Sequence, residues 1–342
     1  MSDKIGVCLI GAGIMGKKHA RIYHEMVNAE LRAVVDIDRE KAAEIARQYG
    51  NGRAYVSLSD ALSEGEIDAV HVATPDFLHM EPVLTAINAG KHVLVEKPLA
   101  TSVSDAQKIA ETAAGTGVHV MVNYTHRFAA PYAKAESIIR SGEIGEVKMV
   151  YARKNDTIWA ATEMMNWTHK TSPAAYLSTH DIDLVLWMGR LSIDSVYALS
   201  TRGVLTGQGI DSEDAVQAVV RFSNGAIGTF ESCWVLPKTM PTVTDSFIEI
   251  IGTDGSIHID RIHEGVKIAN RDGYHFPKLS LEYEADGRVH GGIQSCLTHF
   301  VDSLRTGTTP QPDASWGVQV VRVSKAIDRS ISDGIPVRPD SM

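Results

Sequence analysis

Cysteine is scarce in this chain: Cys8, Cys233 and Cys296 are the only three among 342 residues, and they lie far apart. An odd, scattered set excludes a disulfide framework and a zinc cluster, and it fits a reducing compartment, so a cytoplasmic protein is expected. No apolar run approaches the roughly 20 residues a membrane helix needs. The N-terminus enters a strand-like run at once, without the charged and apolar regions of a secretory signal. Basic residues are in deficit, 33 against 42 acidic ones for a net charge of -9, and they are dispersed. That balance argues against nucleic acid as a partner, because no basic stripe is present to neutralise phosphates. Internal repeats, low-complexity segments and linkers rich in proline or serine are also missing. What remains is a chain long enough for two domains, each with its own core.

The two halves differ in texture. Apolar runs at 5–10, 31–35, 69–73, 92–95 and 118–122 are continuous, and helical patterns at 17–26, 39–49, 81–89 and 105–114 separate most of them. Continuous apolar strands alternating with helices predict a doubly wound parallel sheet covered on both faces. Beyond about residue 123, segments at 146–154, 195–204, 215–222, 226–235, 246–252 and 256–260 alternate apolar with polar residues. Ser223-Asn224-Gly225 and Thr253-Asp254-Gly255 are hairpin signals between them. Helical patterns at 178–188, 298–303 and 317–331 complete an α+β domain. The expected fold class is therefore α/β, with a first domain at 1–123 and a second at 124–342.

The most specific chemistry lies where the first apolar run ends. Gly11-Ala12-Gly13-Ile14-Met15-Gly16 follows that run, and about twenty residues later the next run ends in Asp36. A strand, a glycine turn and a helix start bring unpaired backbone N–H groups, those of Ile14 and Met15 among them, against a pyrophosphate. The acidic residue at the end of the second strand reaches a ribose hydroxyl. Gly11 makes the turn, Gly13 admits the phosphate and Gly16 lets helix and strand pack. Asp36 would repel a 2′-phosphate, so NAD is expected; Arg39, three residues on, leaves NADP as a second cofactor.

Ligands of an open parallel sheet bind at the carboxyl ends of its strands. One strand ends in Ala73-Thr74-Pro75-Asp76-Phe77-Leu78-His79, and the next ends in Glu96-Lys97-Pro98, where the proline holds the lysine backbone extended. Thr74, Pro75, His79, Glu96 and Lys97 are therefore candidates for the nicotinamide side. A third pattern, Tyr176-Leu177-Ser178-Thr179-His180-Asp181-Ile182-Asp183, puts a histidine on a helix beside an apolar stripe. An imidazole titrates near neutral pH and can take a hydroxyl proton as hydride leaves carbon. His180, Asp181 and Asp183 do not converge on one point of a regular helix, so no metal is expected there or elsewhere.

Together these patterns resemble the glucose-fructose oxidoreductase, inositol dehydrogenase and rhizopine catabolism family. The resemblance runs through GAGIMG with His19, VATPDFLH, EKPLA, NYTHRF with Pro131, the IGEV segment at 144–147 and the histidine helix, nearly the whole chain. It implies a Rossmann domain followed by a domain with a large open antiparallel sheet, assembled into homodimers or homotetramers through that sheet. It also implies hydride transfer between a nicotinamide cofactor and a hydroxyl of a sugar, sugar derivative or cyclitol. The family's active-site lysine falls on Lys97 and its acid/base histidine on His180. Arg127 and Asn155 are candidates for further substrate hydroxyls, and Tyr124, Trp159 and Trp167 for an apolar wall against a sugar ring.

One position departs from the pattern. The family often has an aspartate four residues before the histidine, and here Tyr176 stands in that place. A phenol offers a hydrogen bond without a charge; Asp183 or Asp156 could orient His180 instead, or Tyr176 could simply pack. The departure keeps two other readings open: a nucleotide-binding regulator that has lost its chemistry, and a glycosidase that uses NAD for a transient oxidation.

Overall fold

The computed structural model describes residues 4–50, 52–64 and 66–342. The chain divides into two compact units, residues 1–125 with 282–318 and residues 126–281 with 319–342. Segment 282–318 was read from the sequence as part of the second domain. Its place in the first unit is secured by side chains: Arg21 donates to Glu284 at 2.9 Å, the Val289 N–H to Glu25 at 2.8 Å, and Cys296 to Asn123 at 3.1 Å. None of these long-range bonds leaves a trace in local periodicity.

The first unit is built on β1 (Ile5–Ile10), α1 (Ile14–Glu25), β2 (Ala29–Val35), α2 (Arg39–Tyr49), β3 (Ala54–Tyr55), α3 (Leu58–Glu64), β4 (Ala69–Val72), α4 (Met80–Asn88), β5 (His92–Val95), α5 (Val103–Ala114) and β6 (Val120–Val122). The strands pair in parallel in the order β3-β2-β1-β4-β5-β6, which puts the switch in strand order between β1 and β4. Burial explains the composition: Val7, Cys8, Leu9, Val70, Val72, Val93, Leu94 and Val95 are all fully enclosed, as strands covered on both faces must be. Helix starts follow from side-chain caps. Asp38 accepts from the N–H groups of Glu40 and Lys41 before α2, and Ser102 from that of Asp105 before α5. The short β3 and α3 escaped the sequence reading because two residues and two turns are too few to show a period.

The second unit contains α6 (Ala130–Arg140), β7 (Val147–Thr157), α7 (Thr179–Gly189), β8 (Ile193–Thr201), β9 (Ala215–Phe222), β10 (Ile227–Leu236), β11 (Thr244–Gly252) and β12 (Ser256–Asp260). Its sheet has the order β12-β11-β7-β10-β9-β8. The expected antiparallel sheet is in fact mixed, because β7 and β10 run parallel. The chain leaves β7 through α7 to the far edge at β8, then returns by turns through β9, so β10 arrives beside β7 in the same direction. The two glycine turns join β9 to β10 and β11 to β12. In β9 the alternation is complete, with Val216, Ala218, Val220 and Phe222 buried and Gln217, Val219 and Arg221 exposed.

Two short ribbons, β13 (Ile268–Asn270) with β14 (Gly273–His275) and β15 (Tyr283–Ala285) with β16 (Arg288–His290), precede α8 (Gly292–Thr306) and α9 (Ala314–Asp333). Among the described residues no helix is long and apolar enough to cross a membrane.

Candidate functional site

The glycine turn has the shape that a dinucleotide site needs. Gly11 has φ +101°, and a Cβ on it would come within 2.5 Å of the Ala73 carbonyl oxygen; on Gly16 it would come within 1.8 Å of the Gly11 carbonyl oxygen. A Cβ on Gly13 would meet nothing within 4 Å. The first two glycines are thus required by packing and the third by open space in front of the α1 N-terminus, where a pyrophosphate would sit. Asp36 closes the turn: one carboxylate oxygen accepts from the Ala12 N–H at 2.6 Å and the other from the Asp38 N–H at 2.9 Å. Each oxygen keeps a lone pair for a ribose hydroxyl. Arg39 is exposed at the first residue of α2, and the Thr74 hydroxyl is buried without a hydrogen-bond partner.

His79 is placed differently from the expectation. It is 1% exposed, and its two ring nitrogens lie 2.8 Å from the Pro98 carbonyl oxygen and 3.0 Å from that of Thr74. The buried imidazole lies between the loops after β4 and β5 and, being neutral, donates its one N–H to one of these two carbonyls. Lys97, followed by a cis bond to Pro98, stands between that imidazole and Glu96. Its positive charge opposes protonation of His79 and partly offsets the burial that raises the Glu96 carboxyl. Glu96 accepts from the Asn123 amide at 2.7 Å and lies 3.4 Å from the His19 Nε2. His19, His71 and Glu96 approach like metal ligands, yet the two rings are stacked 4.4 Å apart and inclined by only 19°. Imidazole lone pairs lie in the ring plane, and near-parallel stacked planes do not meet at ligand distance. Tyr124 is fully buried in this unit and offers no wall.

In the second unit the centre is α7. Thr179 and the residues from Asp181 to Leu186 are buried, while His180 keeps part of its surface exposed. A five-residue π turn (Ala174–Ser178) leads into the helix and Arg190, with φ +49°, ends it. Asp183 receives Arg127 through Nε at 3.0 Å and Nη2 at 2.5 Å, and the guanidinium lies 5.2 Å from the Trp187 ring centre. This buried fork ties the segment before α6 to α7 and commits Arg127 to structure, which corrects its reading as a substrate ligand. Asp183 is equally engaged by that guanidinium.

Strand parity corrects a second reading. Asn155 donates to Glu231 at 2.7 Å, and Glu231 also accepts from Tyr151, two positions back along alternate residues of β7. Lys154 points the other way and lies 3.1 Å from the Nε2 of His126, whose ring centre is 4.3 Å from that of His180. Next to Lys154 in charge space is Asp181, 1% exposed, with both carboxylate oxygens lacking a hydrogen-bond partner. Burial brings the Lys154 ammonium down to about 7 and the Asp181 carboxyl up to about 6, each partly opposed by the charge of the other. His126 and Lys154 went unrecognised in the sequence, and Asp181 was weighed there only as a metal ligand. The available signal was that Lys154, unlike Asn155, shares its face of β7 with buried Ala152 and Asp156.

Tyr176 belongs to an apolar cluster around Trp234, with ring centres 6.4 Å apart, together with Leu177, Met165 and Trp167. Trp167 is partly buried and packs against that cluster, and its Nε1 is buried without a hydrogen-bond partner. Trp159 is half-buried at the start of another π turn (Ala160–Met164).

Residues 5–124 match the model of an oxidoreductase family with an NAD-binding Rossmann fold, and residues 136–338 match the same family's C-terminal α/β domain. The chain belongs to that family, the one named for glucose-fructose oxidoreductase, inositol dehydrogenase and MocA. It is 29% identical to a scyllo-inositol 2-dehydrogenase (NAD(+)) of Bacillus subtilis, over 99% of this chain and 98% of the relative. It is 25% identical to a levoglucosan dehydrogenase of Pseudarthrobacter phenanthrenivorans, over 98% and 92% respectively. Its fold superposes with a TM-score of 0.85 and 20% identity on scyllo-inositol dehydrogenase of Lactobacillus casei with bound NAD(H) and scyllo-inositol, covering 98% of this chain and 99% of that one. Membership makes this an NAD-dependent oxidoreductase, and the glycine turn with Asp36 is the part of the chain that fits the cofactor.

The Arg127–Asp183 fork gives a stability prediction. Arg127→Met leaves a carboxylate buried without its counter-charge and should cost about 3–5 kcal/mol, read by urea unfolding at pH 7. Adding Asp183→Leu should recover most of that loss. A cost below about 1 kcal/mol in the single variant would mean that the fork does not hold α7.

Proposed function

We propose that this protein oxidises a secondary hydroxyl of a cyclitol or a sugar derivative with NAD, His180 exchanging the hydroxyl proton and Lys97 hydrogen-bonding the reacting oxygen. The observation that carries the reading is the partly exposed imidazole of His180 on a helix whose neighbouring positions are buried. A histidine kept partly exposed on a helix whose neighbouring residues are buried, and backed by a second imidazole, is arranged for proton exchange rather than for packing. The names of the similar enzymes support the substrate class, with scyllo-inositol and levoglucosan as its two representatives. NAD supplies the hydride acceptor when bound. The Lys97 ammonium stabilises negative charge that develops on the substrate oxygen. The direction of the reaction in the cell follows metabolite ratios, so reduction of the corresponding ketone is the same activity read backwards.

Assay of NADH formation on a panel of cyclitols and sugars, scyllo-inositol and levoglucosan included, tests the reading. His180→Gln and Lys97→Met should each lower kcat by ~10²- to 10⁴-fold, while calorimetric NAD binding by the His180 variant stays near wild type. Absence of turnover across the panel with intact NAD binding would favour a regulator. Release of free sugar from a glycoside without net NADH would favour a glycosidase. NAD should give a higher kcat/KM than NADP, and Asp36→Ser should narrow the difference; a preference for NADP in the unmodified enzyme would remove Asp36 from its assigned role.

We also propose that the outer face of the second unit's sheet joins copies of this chain into a dimer or tetramer. Tyr197 pairs with Val219 across β8 and β9, and Ile227 pairs with Met149 across β10 and β7, so apolar side chains gather on the face away from the helices. Leu199 is 60% and Val219 54% exposed there. Free cysteines and the dispersed acidic surface fit a cytoplasmic enzyme of this kind. Val219→Glu with Leu199→Glu should shift the protein to monomer in size-exclusion chromatography with light scattering. An unchanged assembly would place the interface elsewhere.

A further inference from the structure

We propose that Lys154 is a positioning residue for this reaction: acting through His126, it places a positive charge behind the His180 imidazole and sets the pH at which that imidazole becomes a base. The inference rests on the assignment of His180 as the proton-exchanging group.

Three observations carry it. Lys154 lies at 6% and His126 at 5% exposure, and the ammonium nitrogen sits 3.1 Å from the His126 Nε2. His126 in turn covers His180, ring centre to ring centre 4.3 Å at an inclination of 41°. Asp183 is held by Arg127, and where the family often has an aspartate Tyr176 brings a neutral phenol packed against Trp234. A charged group in direct contact with the imidazole pair is thus the Lys154 ammonium.

The other ionisable groups around α7 are of both signs, and among them Lys154 lies within hydrogen-bond reach of His126. From β7 come Lys154 and Asp156, from α6 the buried phenol of Tyr132, and from the chain after β12 Arg261, which pairs with Glu264 at 3.3 Å. Lys278 adds another positive charge felt by both Lys154 and His126, and Asp181 on α7 is the nearest negative one. Burial and these positive neighbours keep His126 far below the usual histidine range, so it is neutral throughout and transmits rather than carries charge. Its contact with Lys154 also survives loss of the lysine proton. A charged Lys154 donates to Nε2, and a neutral one accepts from Nε2–H once the imidazole proton has moved over from Nδ1. The pair can thus hold its geometry while its charge changes, near the pH where Lys154 itself titrates, about 7.

Physical expectation follows from charge alone. A positive group behind an imidazole disfavours its protonation, so His180 reaches its basic form at a lower pH than it would beside a carboxylate or a neutral wall. Removing the charge should reverse this.

The test follows His180 directly by its Cε1–H resonance in the NAD-loaded protein, assigned by its disappearance in His180→Gln. Lys154→Met should raise the titration midpoint of that resonance by about one pH unit and move the acidic limb of kcat/KM for the best panel substrate in the same direction. Lys154→Arg, which keeps the charge, should restore both towards wild type. His126→Phe keeps a ring against His180 but removes the nitrogen that holds Lys154; with no acceptor the buried ammonium discharges more readily, and the midpoint should again rise. It serves as the second variant if Lys154→Met does not fold. An unmoved midpoint in either folded variant overturns the proposal, whatever its effect on kcat or stability. Full turnover by His180→Gln overturns the underlying assignment instead, and the proposal with it.

Discussion

Removing a charged group from water costs several kcal/mol unless the protein supplies a counter-charge and hydrogen bonds in good geometry, and α7 is where this chain meets that cost in two different ways. Arg127 and Asp183 meet it fully. A planar guanidinium and a carboxylate interlock through two nitrogens, and the Trp187 ring covers the cation. The consequence of that pair is that α7 has a fixed place. Lys154 and Asp181 meet the cost only in part. They attract each other, but the carboxylate oxygens lack hydrogen-bond partners and the ammonium is held by a neutral imidazole. The incomplete pair is the one beside His180. A rigid helix anchored by a satisfied ion pair can carry an unsatisfied one next to its only partly exposed histidine.

The first unit handles desolvation by neutrality. His19 and His71 are buried and stacked, and loss of hydration keeps both well below the usual histidine range, His19 at about 3. Tyr23 bonds the outer nitrogen of His71 at 3.0 Å, and Asn123, bonded on its other side by Cys296, bonds Glu96 at 2.7 Å. This chain of neutral donors and acceptors runs from α1 through β4 and β5 to α8. It fixes the base from which Glu96 and Lys97 project. His79 does the same beside Lys97, buried, neutral and donating its one N–H to a backbone carbonyl.

Legibility in the sequence followed the range of the interactions. Gly11, Gly13, Gly16 and Asp36 act within one βαβ unit, so their spacing alone carried the cofactor site. The strand ends at Thr74 and Lys97 were readable because a parallel sheet puts its functional loops at one edge. Arg127 looked like a substrate ligand because its partner is 56 residues away, and Asn155 because strand parity near the end of β7 needed the partner strands to settle it. The two π turns, around Ala160 and Ala174, break the 3.6-residue period, so neither the role of Tyr176 as packing nor the placement of His180 could come from helical spacing. Segment 282–318 joins the first unit through isolated side-chain bonds, which carry no periodic signal at all.

Proton linkage gives the unsatisfied pair a meaning that packing does not. Asp181 titrates higher in the folded protein, at about 6, than in an unfolded chain, so the folded state holds an extra proton between the two values and loses that advantage as pH rises towards 6. Lys154 titrates lower, at about 7, so the unfolded state holds the extra proton above that pH, and the penalty fades only as pH rises towards the ordinary lysine range. Between about 6 and 7 both penalties are in force together. An apolar pair of similar volume would avoid them. Stability therefore gives no reason for Lys154 and Asp181 to be there, whereas a charge that comes and goes behind His180, in the pH range where a histidine exchanges protons, does.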